Sequence, residues 1–140
     1  YLGSAHLPLW GAFTHKFDLE HPLLNFTSWY SNHVRGDGQG IYYLDHCLFF
    51  NKYLLADNDK QPVPEVAIFE DTEFCKKLLK KSQPQRINFL ATTSSVRFQK
   101  NGMFYQSMLN QMLKVGYQLK MSDDFMNRLY EKGLSLNSKY

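Results

Sequence analysis

Histidine and cysteine are the side chains of this sequence best suited to chemistry. His33 lies three residues before Gly36, with Gly38 and Gly40 following. An imidazole that titrates near neutrality beside a flexible turn suits a general base, because such a turn lets a substrate backbone approach. The plainer reading is a surface histidine next to a turn. Cys47 and Cys75 would need an imidazole or a helix N-terminus nearby to become nucleophilic thiolates. Cys47 follows His46 directly, but adjacency in sequence does not orient the ring. Cys75 falls on the apolar face of a helix expected over 72–81, which is the setting of a small buried hydrophobe.

The remaining clusters are less specific. His6, His15, His21, His33, His46 and the two cysteines lack the paired short spacings of a zinc site. Asp57-Asn58-Asp59 lacks the glycine and distal glutamate of a calcium loop; it has the D-x-D form of metal-dependent sugar transferases, and a solvated turn accounts for it as well. No metal and no cofactor is expected. Lys76, Lys77, Lys80 and Lys81 form a positive stripe able to meet an acidic partner. No aromatic side chain interleaves with them, so base stacking is not indicated, and a solvated helix face is the plainer reading. Arg35-Gly36-Asp37 and the sequon Asn25-Phe26-Thr27 carry little weight.

The elements that must position these residues are short. Residues 1–17 read as irregular, with at most a short strand. Residues 23–30 fit a buried strand or a helix begun by Pro22, since short apolar runs do not separate the two. Residues 35–40 read as a turn, 41–44 as strand-like and 47–55 as helical. Buried strands are expected at 66–69 and 87–92, separated by an amphipathic helix that turns Phe74, Cys75, Leu78 and Leu79 inward. A further helix is expected from Met103 to Lys114, stopped by Gly116. The last helix is capped by Ser122, with Asp123 and Asp124 at its positive end, Lys132 at the other end and Gly133 as its stop.

Composition bounds the rest. The chain has 140 residues, 44% hydrophobic and 21% charged, with 22 aromatic side chains and a net charge of +3. Such a chain can bury a core without a disulfide scaffold and is unlike a disordered one. No stretch is long and apolar enough to span a membrane, and the charge is too mild to imply nucleic acid. Two cysteines fit a reducing compartment, and the expected location is the cytoplasm. Strands alternating with amphipathic helices imply a single α/β domain over 1–140, with a mostly parallel sheet flanked by helices.

The stretch from Asn88 to Leu109 resembles the small-subunit opening of caspases. There a strand of the form D-F-L-x-A-x-S leads to S-W-R-N and a glycine-started helix, G-S-W-F-I-Q-S-L. Ser95, Arg97, Gly102 and Leu109 fall in register with it. Upstream, Ser31-Asn32-His33 followed by Gly40-Ile41-Tyr42-Tyr43-Leu44-Asp45 is similar to S-H-G, then G-I-Y-G-x-D. Residues 64–72 are similar to the strand P-K-L-F-F-I-Q-A-C-R-G that carries the nucleophile, and 125–132 to the late helix I-L-T-R-V-N-R-K.

The resemblance covers roughly residues 23–133 and implies a caspase-like domain shortened at both ends. His33 matches the catalytic histidine, whereas the nucleophile position falls on Thr72. Glu70 stands where the family has a pocket glutamine, Arg97 keeps the pocket arginine, and Val34 replaces the glycine of the oxyanion hole. The implied protein is a catalytically inactive regulator that binds a caspase, a caspase precursor or a homologous caspase-like chain, as a hetero- or homodimer. Two alternatives are an active cysteine peptidase using His33 and Cys75, and an α/β binding module that meets an acidic partner through the lysine stripe. The missing terminal strands imply open sheet edges that another chain or segment covers.

Overall fold

The computed structural model describes residues 9–55 and 69–135, with side chains to residue 131. These residues divide into two compact units, one built from 9–55 and 69–93 and the other from 94–135.

The first unit is an open α/β layer. Strand β1 (Trp10–Phe17) is central, pairing antiparallel with β2 (Phe49–Phe50) and parallel with β3 (Gln85–Thr93). The sheet is therefore mixed, not mostly parallel as the sequence implied. The parallel register runs from Gly11↔Gln85 to Phe17↔Thr93 and shifts between Phe13 and Thr14, so Asn88 and Phe89 bulge out of β3. The irregular reading of 1–17 missed the central strand. β1 buries residues on both faces, so it shows none of the alternation that marks a half-exposed strand. The expected strand at 66–69 lies outside the described residues except for Phe69. That residue has a left-handed backbone, φ 61°, at the start of a helix. The described parallel neighbour of β3 is β1.

Helix α1 (Pro22–Trp29) resolves the ambiguity at 23–30. Pro22 takes the first helical position, and the His21 ring accepts the Leu23 N–H at 3.2 Å, removing one free first-turn donor. The expected turn at 35–40 is instead part of a π-helical segment (Tyr30–Gly38) that continues α1. Residues 41–43 are irregular, not strand. A 3-10 turn at Leu44–His46 precedes the segment expected as a helix over 47–55, where the chain instead makes β2 and a second 3-10 turn at Lys52–Leu54. Cys47 is left-handed, φ 52°, and the Asn51 side chain caps Tyr53 N–H, so local polar bonds break the helical path. Helix α2 (Glu70–Leu79) forms where the amphipathic pattern predicts, burying Phe74, Cys75 and Leu78. The core gathers Trp10, Ala12, Tyr42, Leu54, Phe74, Cys75 and Leu78. The Trp10 indole donates to the Ser82 carbonyl at 2.8 Å.

The second unit is helical: α3 (Val96–Asn101), α4 (Met103–Gln118) and α5 (Asp123–Ser135). α4 does not stop at Gly116 but runs through it to Gln118; a Cβ there would lie 3.3 Å from the Met121 sulfur and 3.6 Å from Met126. Ser122 caps α5 as expected, accepting the Phe125 N–H on its hydroxyl at 3.4 Å. α5 passes Gly133 without stopping there.

Candidate functional site

Within the first unit, the two candidates for catalysis, His33 and Cys75, have separate hydrogen-bond and ion-pair partners. Cys75 sits in the core of the first unit with no exposed surface. Its thiol donates to the Tyr42 carbonyl at 3.3 Å and accepts the Tyr42 N–H at 3.4 Å. Burial pushes the thiol up to about 11, the opposite of what a nucleophilic thiolate requires. Two residues ahead of α2's inward Phe74, Thr72 is also buried, and its hydroxyl makes no hydrogen bond. Glu70 opens α2 and is partly exposed.

His33 lies in the π-helical segment with its side chain half exposed. It faces Asp37 at 3.4 Å and the Trp29 ring at 6.1 Å. Its partners are thus on its own helix, whereas Cys75 is bonded to Tyr42. Arg97 belongs to the second unit. It lies over the Tyr130 ring at 5.5 Å and donates to the Tyr130 hydroxyl at 3.3 Å.

The lysine stripe is partly engaged. Lys76 pairs with Glu73 at 2.9 Å, and the Lys81 ammonium meets the Leu54 carbonyl. Arg35 is buried with its guanidinium 3.5 Å over the Tyr43 ring, so Arg35-Gly36-Asp37 cannot be presented as an adhesion tripeptide. Asp57 and Asp59 lie outside the described residues. Among the described residues, no cluster of three or more histidines, cysteines or carboxylates could hold a metal, and no helix is long and apolar enough to cross a membrane.

The structure brings together a polar cluster that spacing did not reveal. The His15 Nδ1 lies 3.1 Å from the Ser28 hydroxyl, and its Nε2 faces the Asp45 carboxylate at 3.4 Å. The His46 ring stands 5.1 Å from that of His15. Its Nδ1 meets the Phe13 carbonyl at 3.2 Å and its Nε2 the Arg35 guanidinium at 3.4 Å. Asn32 clips the same strand, accepting the His15 N–H at 2.8 Å and donating to its carbonyl at 2.9 Å. These residues come from β1, α1, the π-helical segment and the first 3-10 turn, so no local motif could announce them. Burial holds His15 below its ordinary value, with Asp45 opposing and Arg35 assisting; burial takes His46 down to about 4.

Serine, histidine and aspartate are the residue types of acyl-transfer catalysis. Here, however, Ser28 is turned inward on α1 and is buried. The arrangement ties the elements together.

The other polar constellation is open to solvent. Arg86 of β3 grips Asp37 with two bonds of 2.8 Å and donates to Thr14 Oγ1 at 2.8 Å. The Arg86 guanidinium beside Asp37 holds that carboxyl below the usual range. The pair lines a cavity of about 350 Å³ together with Gly36, Tyr42, Gln83 and Gln85. Arg86 and Asp37 are spent on one another, on Thr14 and on the Tyr42 hydroxyl, which donates to Asp37 at 3.4 Å.

No family model matches the chain, and searches of curated proteins and of solved structures find no significant match.

Proposed function

We propose that this chain acts by binding another protein and not by thiol-dependent peptide cleavage. The observation that supports the reading is the state of Cys75: fully buried, bonded on both sides to the Tyr42 backbone, and pushed up to about 11. A thiol there is neither ionised near neutrality nor reachable by a substrate carbonyl.

The partner we propose is a caspase, a caspase precursor or a homologous caspase-like chain. Support for it is the resemblance of 23–133, together with the order of β3, Gly102 and α4, which is the strand-then-helix order the resemblance implies. The same reading places the protein in the cytoplasm, where two free cysteines stay reduced. Binding of an acidic partner through Lys76, Lys77, Lys80 and Lys81 has less support, because Lys76 and Lys81 are already engaged.

Two assays test the proposal. The purified chain is expected to leave a fluorogenic aspartyl peptide uncleaved and, when added to a caspase precursor, to change its rate of activation. Hydrolysis that disappears in both His33→Ala and Cys75→Ala would overturn the first part. An unchanged activation rate, with no complex detected by sedimentation, would overturn the choice of partner.

A further inference from the structure

Helix α4 in the second unit carries more apolar surface than its own unit uses. One face buries Gln106, Leu109, Leu113 and Gly116. The adjoining face presents Phe104 (83% exposed), Tyr105 (39%), Met108 (58%), Met112 (50%), Val115 (51%) and Leu119 (70%). At 100° per residue these six fall within a single arc about 100° wide that runs the length of the helix. An ordinary surface helix would place charged residues there. Lys114, the one charged residue between 103 and 119, lies on the opposite side of the helix by the same arithmetic.

From this we infer that α4 is a homodimerisation helix, its exposed stripe packing antiparallel against the same stripe of a second copy. Two features select that occupant. Weighted by exposure, the six side chains offer about 600 Å² of surface, close to the ~800 Å² that each partner contributes to a standard stable interface. The stripe also has no charge of its own, so it neither calls for a partner of opposite charge nor repels a copy of itself.

The spacing is self-complementary about a two-fold axis between positions 111 and 112, as an isologous contact requires. Phe104 then meets the partner's Leu119, Met108 meets the partner's Val115, and the two Met112 side chains flank the axis. Unbranched methionines at the centre can adjust their shape to one another. This inference is independent of the function proposed above, since a dimer of this kind forms whatever its partner.

The test uses the full chain and two single variants, Met112→Glu and Met112→Lys. Wild type is expected to sediment as a concentration-dependent dimer, at twice the 16.5 kDa chain mass. Each variant alone should weaken dimerisation more than about tenfold, by placing like charges at the axis. Mixing the two variants in equal amounts should restore the dimer, because glutamate then faces lysine. Unchanged far-ultraviolet circular dichroism of each variant establishes that it is folded. A wild-type chain that remains monomeric at about 100 µM, well above the dissociation constants of stable dimers, overturns the inference. So do variants that dimerise as wild type does, or folded variants whose mixture stays monomeric.

Discussion

At Cys75 the physics of burial outweighs the chemistry of the element. A thiol needs a positive neighbour and access to solvent before it can attack. This one has a carbonyl and an amide of Tyr42 instead, within a core of Trp10, Phe74 and Leu78. Cys47 is exposed. Titration of the native chain with a thiol reagent near pH 8 should therefore modify one cysteine quickly and the second only after denaturation; two equally fast thiols would contradict the core placement of Cys75. The sequence placed Cys75 on the apolar face of a helix, and that was legible because 72–81 has helical periodicity. The separate surroundings of His33 were not legible, since nothing local says that its segment continues α1 as a π-helix and pairs it with Asp37.

β1 shows why the sheet was harder to read than the helices. Gly11, a poor strand former, is required there because a Cβ would collide with the Gln85 carbonyl of β3 and the Phe49 ring of β2. Gly11→Ala is thus expected to lower unfolding stability by about 3 kcal/mol or more, measured by urea denaturation, because the strands cannot separate without losing their pairing. A change under about 1 kcal/mol would mean that β1 and β3 pair more loosely than described. The ion pair of Arg86 with Asp37 ties β3 to the π-helical segment at the surface, where screening keeps its contribution small. Arg86→Ala should cost at most about 1 kcal/mol by the same measurement. Helices α2, α4 and α5 were anticipated because their bonds are local. Where α4 passes Gly116, the helix ends two residues later, and the Met121 N–H donates to the Gly116 carbonyl at 2.9 Å.

For the molecule as a whole, the buried histidine pair sets the response to acid. His15 and His46 are held below their ordinary value of 6.5 in the folded chain, His46 at about 4. The unfolded chain therefore binds more protons as pH falls below 6.5. The stability contributed by keeping the rings neutral is complete above that pH and is lost progressively toward pH 4. Asp37, held below 3.8 by Arg86, loses its contribution only at lower pH still. Asp71, pushed up by burial, acts in the opposite sense and offsets a part of the loss. The thermal midpoint should thus fall between pH 7 and pH 4.5, and His46→Gln should flatten that fall. A midpoint that is constant over this range in the wild-type chain would show that the rings are not held neutral.

The sequence by itself determined the α/β class, the presence of helices α2, α4 and α5, the Ser122 cap and the inward face of α2 with Cys75 in it, because each rests on contacts between residues a few positions apart. It also raised the candidates His33, Thr72, Glu70 and Arg97, since residue type and order are enough to raise them. Only the tertiary structure decided that β1 is the central strand, that the sheet is mixed, and that His15, Ser28, Arg35, Asp45 and His46 share one buried cluster. The hydrogen bonds and strand pairs that build those features join positions 11 to 76 residues apart. Chain closure over such distances is directed by the packing of the whole unit, which no local spacing encodes.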